Sequence, residues 1–315
     1  MSALDGGTEL GGTRLLRVLL AAAVCLELAS GARASAATGV RRTIVATYSV
    51  LGAVMRELVG DDLDVKVAIP NGLDPHEWEP SARDIERLTH ADLIVANGLG
   101  LEGGMQKALE RAGRSGVKFF TAADHITVRK VGPGEGIPSG DPDQAVGASD
   151  PHLWTDPIAI KAVVRALATE IRADFGVDLT ARLVDLEKRL DGLDAEIRAS
   201  VVAIPPANRR LVTGHESMGY FAQRYGLELV GAVVPSLSTQ AESSAAGIAA
   251  LKELMARNGV KVLFTELGTP PRVAETLARE SGVRCVPLTT HSLPADGSYF
   301  TFMRNLAGTI ASNLK

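Results

Sequence analysis

Short β-rich runs alternate with helical periodicities along this chain, and the alternation starts twice. Thr43–Thr47, Asp64–Ile69, Leu93–Ala96 and Lys118–Thr121 read as strands, with helical patterns at Val50–Leu58, Ala82–Leu88 and Met105–Ala112 between them. This order predicts a mostly parallel sheet with helices on both faces. Asp156-Pro157 supplies an N-cap and a first-turn proline for a helix to about Phe175. From 179 to 204, Leu183, Leu186, Leu190, Leu193, Ile197 and Val201 fall at steps of three and four. That predicts a second helix of about 37 Å, ended by Pro205-Pro206. Past the prolines the alternation resumes, with strands at Arg210–Thr213, Leu227–Val233, Val260–Phe264 and Val283–Leu288. The expected fold class is α/β: two lobes with mostly parallel sheets, 40–178 and 205–315, joined by one long rigid helix over 179–204, with the functional site in the cleft between them.

Two stretches fall outside this pattern. Residues 131–149 hold five glycines and three prolines with little apolar periodicity, which predicts a long flexible loop. Residues 1–36 have the order of a secretory signal: Arg14 and Arg17, an apolar run from Val18 to Leu26, then Ala32-Arg33-Ala34 and Ala34-Ser35-Ala36 as cleavage sites. Nine apolar residues are too few to span a bilayer, which needs about 20. The mature protein is therefore expected outside the cytoplasmic membrane, periplasmic or at the cell surface, with a lipid anchor at Cys25 as the minor alternative. The net charge of −4 gives no basic footprint for nucleic acid. Two widely spaced cysteines make neither a disulfide framework nor a CxxC knuckle. Cys285, on an apolar run, is expected to be a buried small hydrophobe.

Only six histidines are present, and four stand at related places. His76, His215 and His291 each follow a predicted strand, where open α/β sheets bind ligands, and His152 follows the 131–149 loop. Asp74-Pro75-His76-Glu77-Trp78 and Asp150-Pro151-His152-Leu153-Trp154 share the pattern D-P-H-x-W, and they contain both tryptophans of the chain. Proline stiffens the approach to each histidine, and each Trp is expected to pack beneath it. Four neutral imidazoles drawn from two lobes suit a divalent transition metal, Zn²⁺ above others. His90 and His125 read as ordinary structural residues, His90 as a helix-end cap.

These motifs, together with Thr213-Gly214-His215-Glu216-Ser217-Met218-Gly219-Tyr220-Phe221 and Leu263-Phe264-Thr265-Glu266, resemble the metal-binding solute receptors of zinc and manganese ABC importers, the cluster A-I or TroA-like family. The resemblance covers nearly the whole mature chain. It implies a receptor that captures Zn²⁺, or alternatively Mn²⁺, in the cleft and delivers it to an ABC permease, acting as a monomer. It also implies that His76, His152 and His215 are the first three ligands. The fourth position, usually Asp in the family, falls on His291, with Asp296 as fallback and Glu266 third. The His-rich loop of many zinc receptors has no counterpart in 131–149, which offers only Glu135, Asp141 and Asp143.

The competing expectation is a zinc hydrolase, with three histidines on the metal, a water in the fourth place and Glu216 as base. Neither an HExxH motif nor a nucleophile elbow supports it. A closed set of protein ligands suits carriage of an ion and leaves no position for chemistry on it.

Overall fold

In the first half, the β-branched strand β1 (Thr43–Tyr48) is buried along all but its first residue. It sits inside a four-stranded sheet with β2 (Asp64–Ile69), β3 (Leu93–Ala96) and β4 (Lys118–Thr121), in the order β2-β1-β3-β4. Every pairing is parallel. The structure is a computed structural model describing residues 41–135 and 142–315. The expected signal segment, 1–36, lies outside the described residues.

Three helices connect these strands: α1 (Ser49–Val59), α2 (Ala82–Thr89) and α3 (Gln106–Arg114). Ser81 and Asp84 form a reciprocal capping box at the start of α2. The expected cap of α4 (Pro157–Phe175) is present, with Asp156 Oδ1 accepting from the Ile158 N–H at 2.8 Å. Gly176 ends that helix in the left-handed region, φ 69°, which glycine adopts without a Cβ penalty.

The long helix is α5 (Thr180–Val202), about 35 Å from end to end. It buries Leu186, Leu190, Leu193, Ile197 and Val201 as one stripe. That stripe meets α1 and α4 from the first half, and α6 (Gly219–Tyr225) and α9 (Tyr299–Leu314) from the second. Ion pairs line its flanks, among them Arg189–Glu57 and Arg304–Glu196, both at 2.7 Å. Exposed pairs of this kind contribute about 0–1 kcal/mol each, so the apolar stripe is the main tie.

The second half contains two parallel pairs, β5 (Arg210–Thr213) with β6 (Glu228–Ala232) and β7 (Val262–Thr265) with β8 (Arg284–Pro287). Helices α7 (Ala245–Arg257) and α8 (Pro271–Ser281) cover them with a small core of their own. The main core is continuous across both halves, from Ile44 and Leu93 to Phe264, Phe302 and Leu314. Cys285, expected to be a buried small hydrophobe, is instead exposed. Its strand, β8, pairs on one side only, with β7, and three of its four residues face solvent.

At its base the 131–149 segment is tied down. Lys130 and Ser149 form an antiparallel bridge, and the Val131 N–H donates to the Ala148 carbonyl at 2.9 Å. Among the described residues, no helix is long and apolar enough to cross a membrane.

Candidate metal centre

His76, His215 and His291 lie past the carboxyl ends of β2, β5 and β8, and His152 opens the single turn that leads into α4. One ring nitrogen from each falls within 4.8 Å of all the others. His152 Nε2 stands 3.3 Å from His76 Nε2 and 3.2 Å from His215 Nε2. Zinc–nitrogen bonds of about 2.0–2.1 Å give a tetrahedron whose edges are about 3.3–3.4 Å, close to these separations. The four residues are between 0 and 4 % exposed.

Each D-P-H motif places its histidine by the same local device. Asp74 Oδ1 accepts from the His76 backbone N–H and Asp150 Oδ1 from that of His152, both at 2.9 Å. Beyond that turn the motifs diverge. Asp150 Oδ1 also lies 2.9 Å from His152 Nδ1, and Asp150 Oδ2 pairs with the buried Arg129 guanidinium at 3.2 Å. Trp154 is fully buried, with its ring 5.3 Å from both His152 and His291, and its indole N–H donates to the Thr290 carbonyl at 2.8 Å. Trp78 is only half-buried, against the first-half core.

Hydrogen-bond polarity fixes where the lone pairs point. The Thr290 hydroxyl donates its one hydrogen to Glu266 Oε2. Towards His291 Nδ1, 2.8 Å away, it can then only accept, so Nδ1 carries the hydrogen. His291 Nε2 is left as a buried lone pair with no hydrogen-bond partner. Asp150 fixes the same tautomer for His152, and Glu266 Oε1, 3.5 Å from His215 Nδ1, favours it for His215. Three lone pairs aimed at one another repel until a cation stands between them. Carboxylate–imidazole–metal chains have this form.

Charge follows from the same contacts. Burial and the neighbouring imidazoles hold His76 and His291 well below the ordinary histidine pKa, and burial does the same for His152. Burial also pulls His215 down, but the Glu266 carboxylate beside it outweighs burial and leaves His215 raised. Burial would raise Glu266 in turn, yet His215 and the surrounding hydrogen bonds bring it down to about 2. Burial lifts Asp150 to about 6 against the pull of Arg129, and lifts Glu216 to about 7.

Two glycines of the Thr213–Phe221 motif allow this packing. A Cβ on Gly219 would stand 2.1 Å from Asp150 Oδ2 and 2.5 Å from Arg129 Nη1. One on Gly214 would stand 1.9 Å from Thr269 Oγ1 and 2.7 Å from Glu266 Cγ.

The remaining candidates lie elsewhere. Asp296, the fallback ligand, lies in the turn before α9, accepting from the Ser298 N–H and the Thr301 hydroxyl. Glu266 sits behind the rings, bonded to the His215 N–H, Ser217 and Thr290. His90 caps a helix end as expected, its Nδ1 2.8 Å from the Glu86 carbonyl, and His125 stacks on Phe120. Glu135, one of the loop carboxylates, is bonded to Arg129. Sequence reasoning missed Arg129 and Thr290. Thr290 could have been noticed as the neighbour of His291, whereas no sequence signal marked Arg129.

Two α/β halves bridged by a long helix, with buried imidazoles from both halves meeting at strand ends, define a two-lobed protein able to hold a metal ion between its lobes. Residues 44–313 match the family described as the periplasmic zinc-uptake complex component A, ZnuA, and the chain belongs to that family. Relatives include the zinc-binding protein TroA of Treponema pallidum, 29 % identical over 286 residues, covering 89 % of this chain and 86 % of that one. The manganese ABC transporter substrate-binding lipoprotein PsaA of Streptococcus pneumoniae is 27 % identical over 316 residues, covering 95 % and 97 %. The solved structure of T. pallidum TroA, a periplasmic zinc-binding protein, superposes with a TM-score of 0.75 at 24 % identity, over 87 % of this chain and 99 % of that one.

Proposed function

We propose that this chain is the extracytoplasmic substrate-binding receptor of an ABC importer. It captures one Zn²⁺ through the Nε2 atoms of His76, His152, His215 and His291 and hands it to a membrane permease. The observation that carries this reading is the convergence of four buried ring nitrogens, two from each half, within 4.8 Å of one another, with the His152–His76 and His152–His215 separations of 3.3 and 3.2 Å at the edge length of a zinc tetrahedron. Relatives in the family are named for zinc or for manganese. The all-imidazole set favours zinc, because Mn²⁺ prefers carboxylate and other oxygen ligands.

A hydrolase needs an open coordination position with a base beside it. In this reading His291 fills the fourth place, and the Glu216 carboxylate accepts from the Gln144 amide at 3.1 Å. The family is one of transport receptors, and the site is built for carriage.

The test is calorimetric titration of chelator-treated protein with zinc and with manganese. One Zn²⁺ per chain, bound more tightly than Mn²⁺, is expected, with each single His→Ala change at the four positions weakening zinc by more than about 100-fold, beyond the 10–100-fold typical of groups behind the ligands. Full affinity after His291→Ala would overturn the ligand set.

A further inference from the structure

Four imidazoles around a divalent cation leave a buried charge of +2 that the ligands themselves do not offset, and buried charge is costly unless it is paired. Among the described residues, two carboxylates touch the rings. Asp150 is already paired with Arg129 at 3.2 Å. Glu266, its side chain fully buried, has no such cation among the described residues and reaches two rings, His215 directly and His291 through Thr290. Its Oε1 accepts from the His215 N–H at 3.2 Å and lies 3.5 Å from His215 Nδ1. Its Oε2 accepts from the Ser217 hydroxyl at 2.7 Å and from the Thr290 hydroxyl, which in turn accepts from His291 Nδ1.

We propose that Glu266 is the counter-charge of this metal site and that it aims both second-half imidazoles at the ion, His215 directly and His291 through Thr290. It is a positioning residue: it touches the rings and not the metal. The inference rests on the receptor reading above and adds what makes a neutral ligand set hold a dication. It also explains the close packing of Gly214 against Glu266 and Thr269, since any larger residue there would push the carboxylate away.

A purely structural Glu266 would only pin together β7 and the turns at 215–217 and 289–291. Thr290 separates the two roles. Thr290→Val keeps the shape and removes the hydroxyl, whereas Thr290→Ser keeps the hydroxyl and removes a methyl group. Zinc affinity is measured for both variants and for Glu266→Gln, together with the visible spectrum of the Co²⁺-loaded protein. The expected results are a 10- to 100-fold loss of zinc affinity and a shifted Co²⁺ spectrum in Thr290→Val, with both restored in Thr290→Ser. Glu266→Gln should lose at least as much, and adding Thr290→Val to it should cost little more, because the two act through one chain of bonds. Wild-type affinity and spectrum in Thr290→Val would overturn the inference. It would also fall if Thr290→Ser lost more than Thr290→Val. Failure of the wild-type protein to bind zinc would instead overturn the receptor reading. Tight zinc binding that needs all four histidines but ignores Glu266 and Thr290 would sink only the counter-charge.

Discussion

The Nε2 atoms of His152 and His215 stand 3.2 Å apart although 63 residues separate them in sequence. His152 Nε2 is also 3.3 Å from His76 Nε2, so the ring that follows the 131–149 segment is the hub between the two halves. Asp150 and Trp154 hold that hub from opposite ends of one short motif.

Zinc should stabilise the whole molecule as one unit, because the four histidines proposed to hold it come from both halves and the apolar core is continuous between them. At free zinc 100-fold above Kd the gain is about 2.7 kcal/mol. For a chain of this size that corresponds to a rise in Tm of about 4–5 °C. Scanning calorimetry should show a single transition that moves upward with zinc. Two transitions, only one of them zinc-dependent, would contradict this.

Zinc affinity should fall on acidification with a slope near one proton. Burial lowers His76, His152 and His291, so these rings stay neutral as the pH drops below the ordinary histidine value of about 6.5. Burial also acts on His215, but Glu266 overrides it and raises His215, so that ring takes a proton first, above that value. Above the His215 pKa the affinity is level in this respect; below it, zinc must displace one proton, and affinity drops about tenfold per pH unit. Titrations across the neutral range check this, and a slope near three would show that the rings protonate together.

Gly219→Ala should destabilise the protein by about 1–3 kcal/mol and weaken zinc binding, because the new methyl group would occupy the space of the Arg129–Asp150 pair. Gly192, exposed in the middle of α5 with open space around it, is the control. Gly192→Ala should stabilise by about 0.5–1 kcal/mol and leave zinc binding unchanged. Urea unfolding with parallel zinc titrations reads both effects.

Trp154→Ala should cost about 3–5 kcal/mol, the range for emptying a fully buried aromatic site, and should weaken zinc binding by loosening His152 and His291. Trp78→Ala, at the matching place in the other motif, should cost less, since Trp78 is half-buried. Equal losses of stability and affinity in the two variants would contradict the asymmetry.

Much of the fold was legible because its strands are short β-branched runs with clear ends. Asp64–Ile69 and Arg210–Thr213 fall at the expected residues, and Asp156-Pro157 marks the start of α4 as caps do. The four histidines were legible through their places after strands and through the D-P-H repeat. What the sequence could not carry is contact between distant residues. Cys285 looked buried because its neighbours are apolar, but exposure depends on whether a strand has one partner or two. Glu266 read as a remote ligand candidate. Its bonds to the His215 N–H and Thr290 exist only because β5, β7 and the turn after β8 converge. Arg129 carried no signal, since its meaning lies in burial against Asp150.

X-ray absorption at the zinc edge tests the central claim most directly, because it counts and identifies the atoms bound to the ion. Four nitrogen scatterers at about 2.0–2.1 Å, with the multiple-scattering pattern of imidazole, are predicted for the wild-type protein, falling to three imidazoles plus one oxygen in His291→Ala. A wild-type shell of three imidazoles and a carboxylate or water oxygen, unchanged in His291→Ala, would contradict the account.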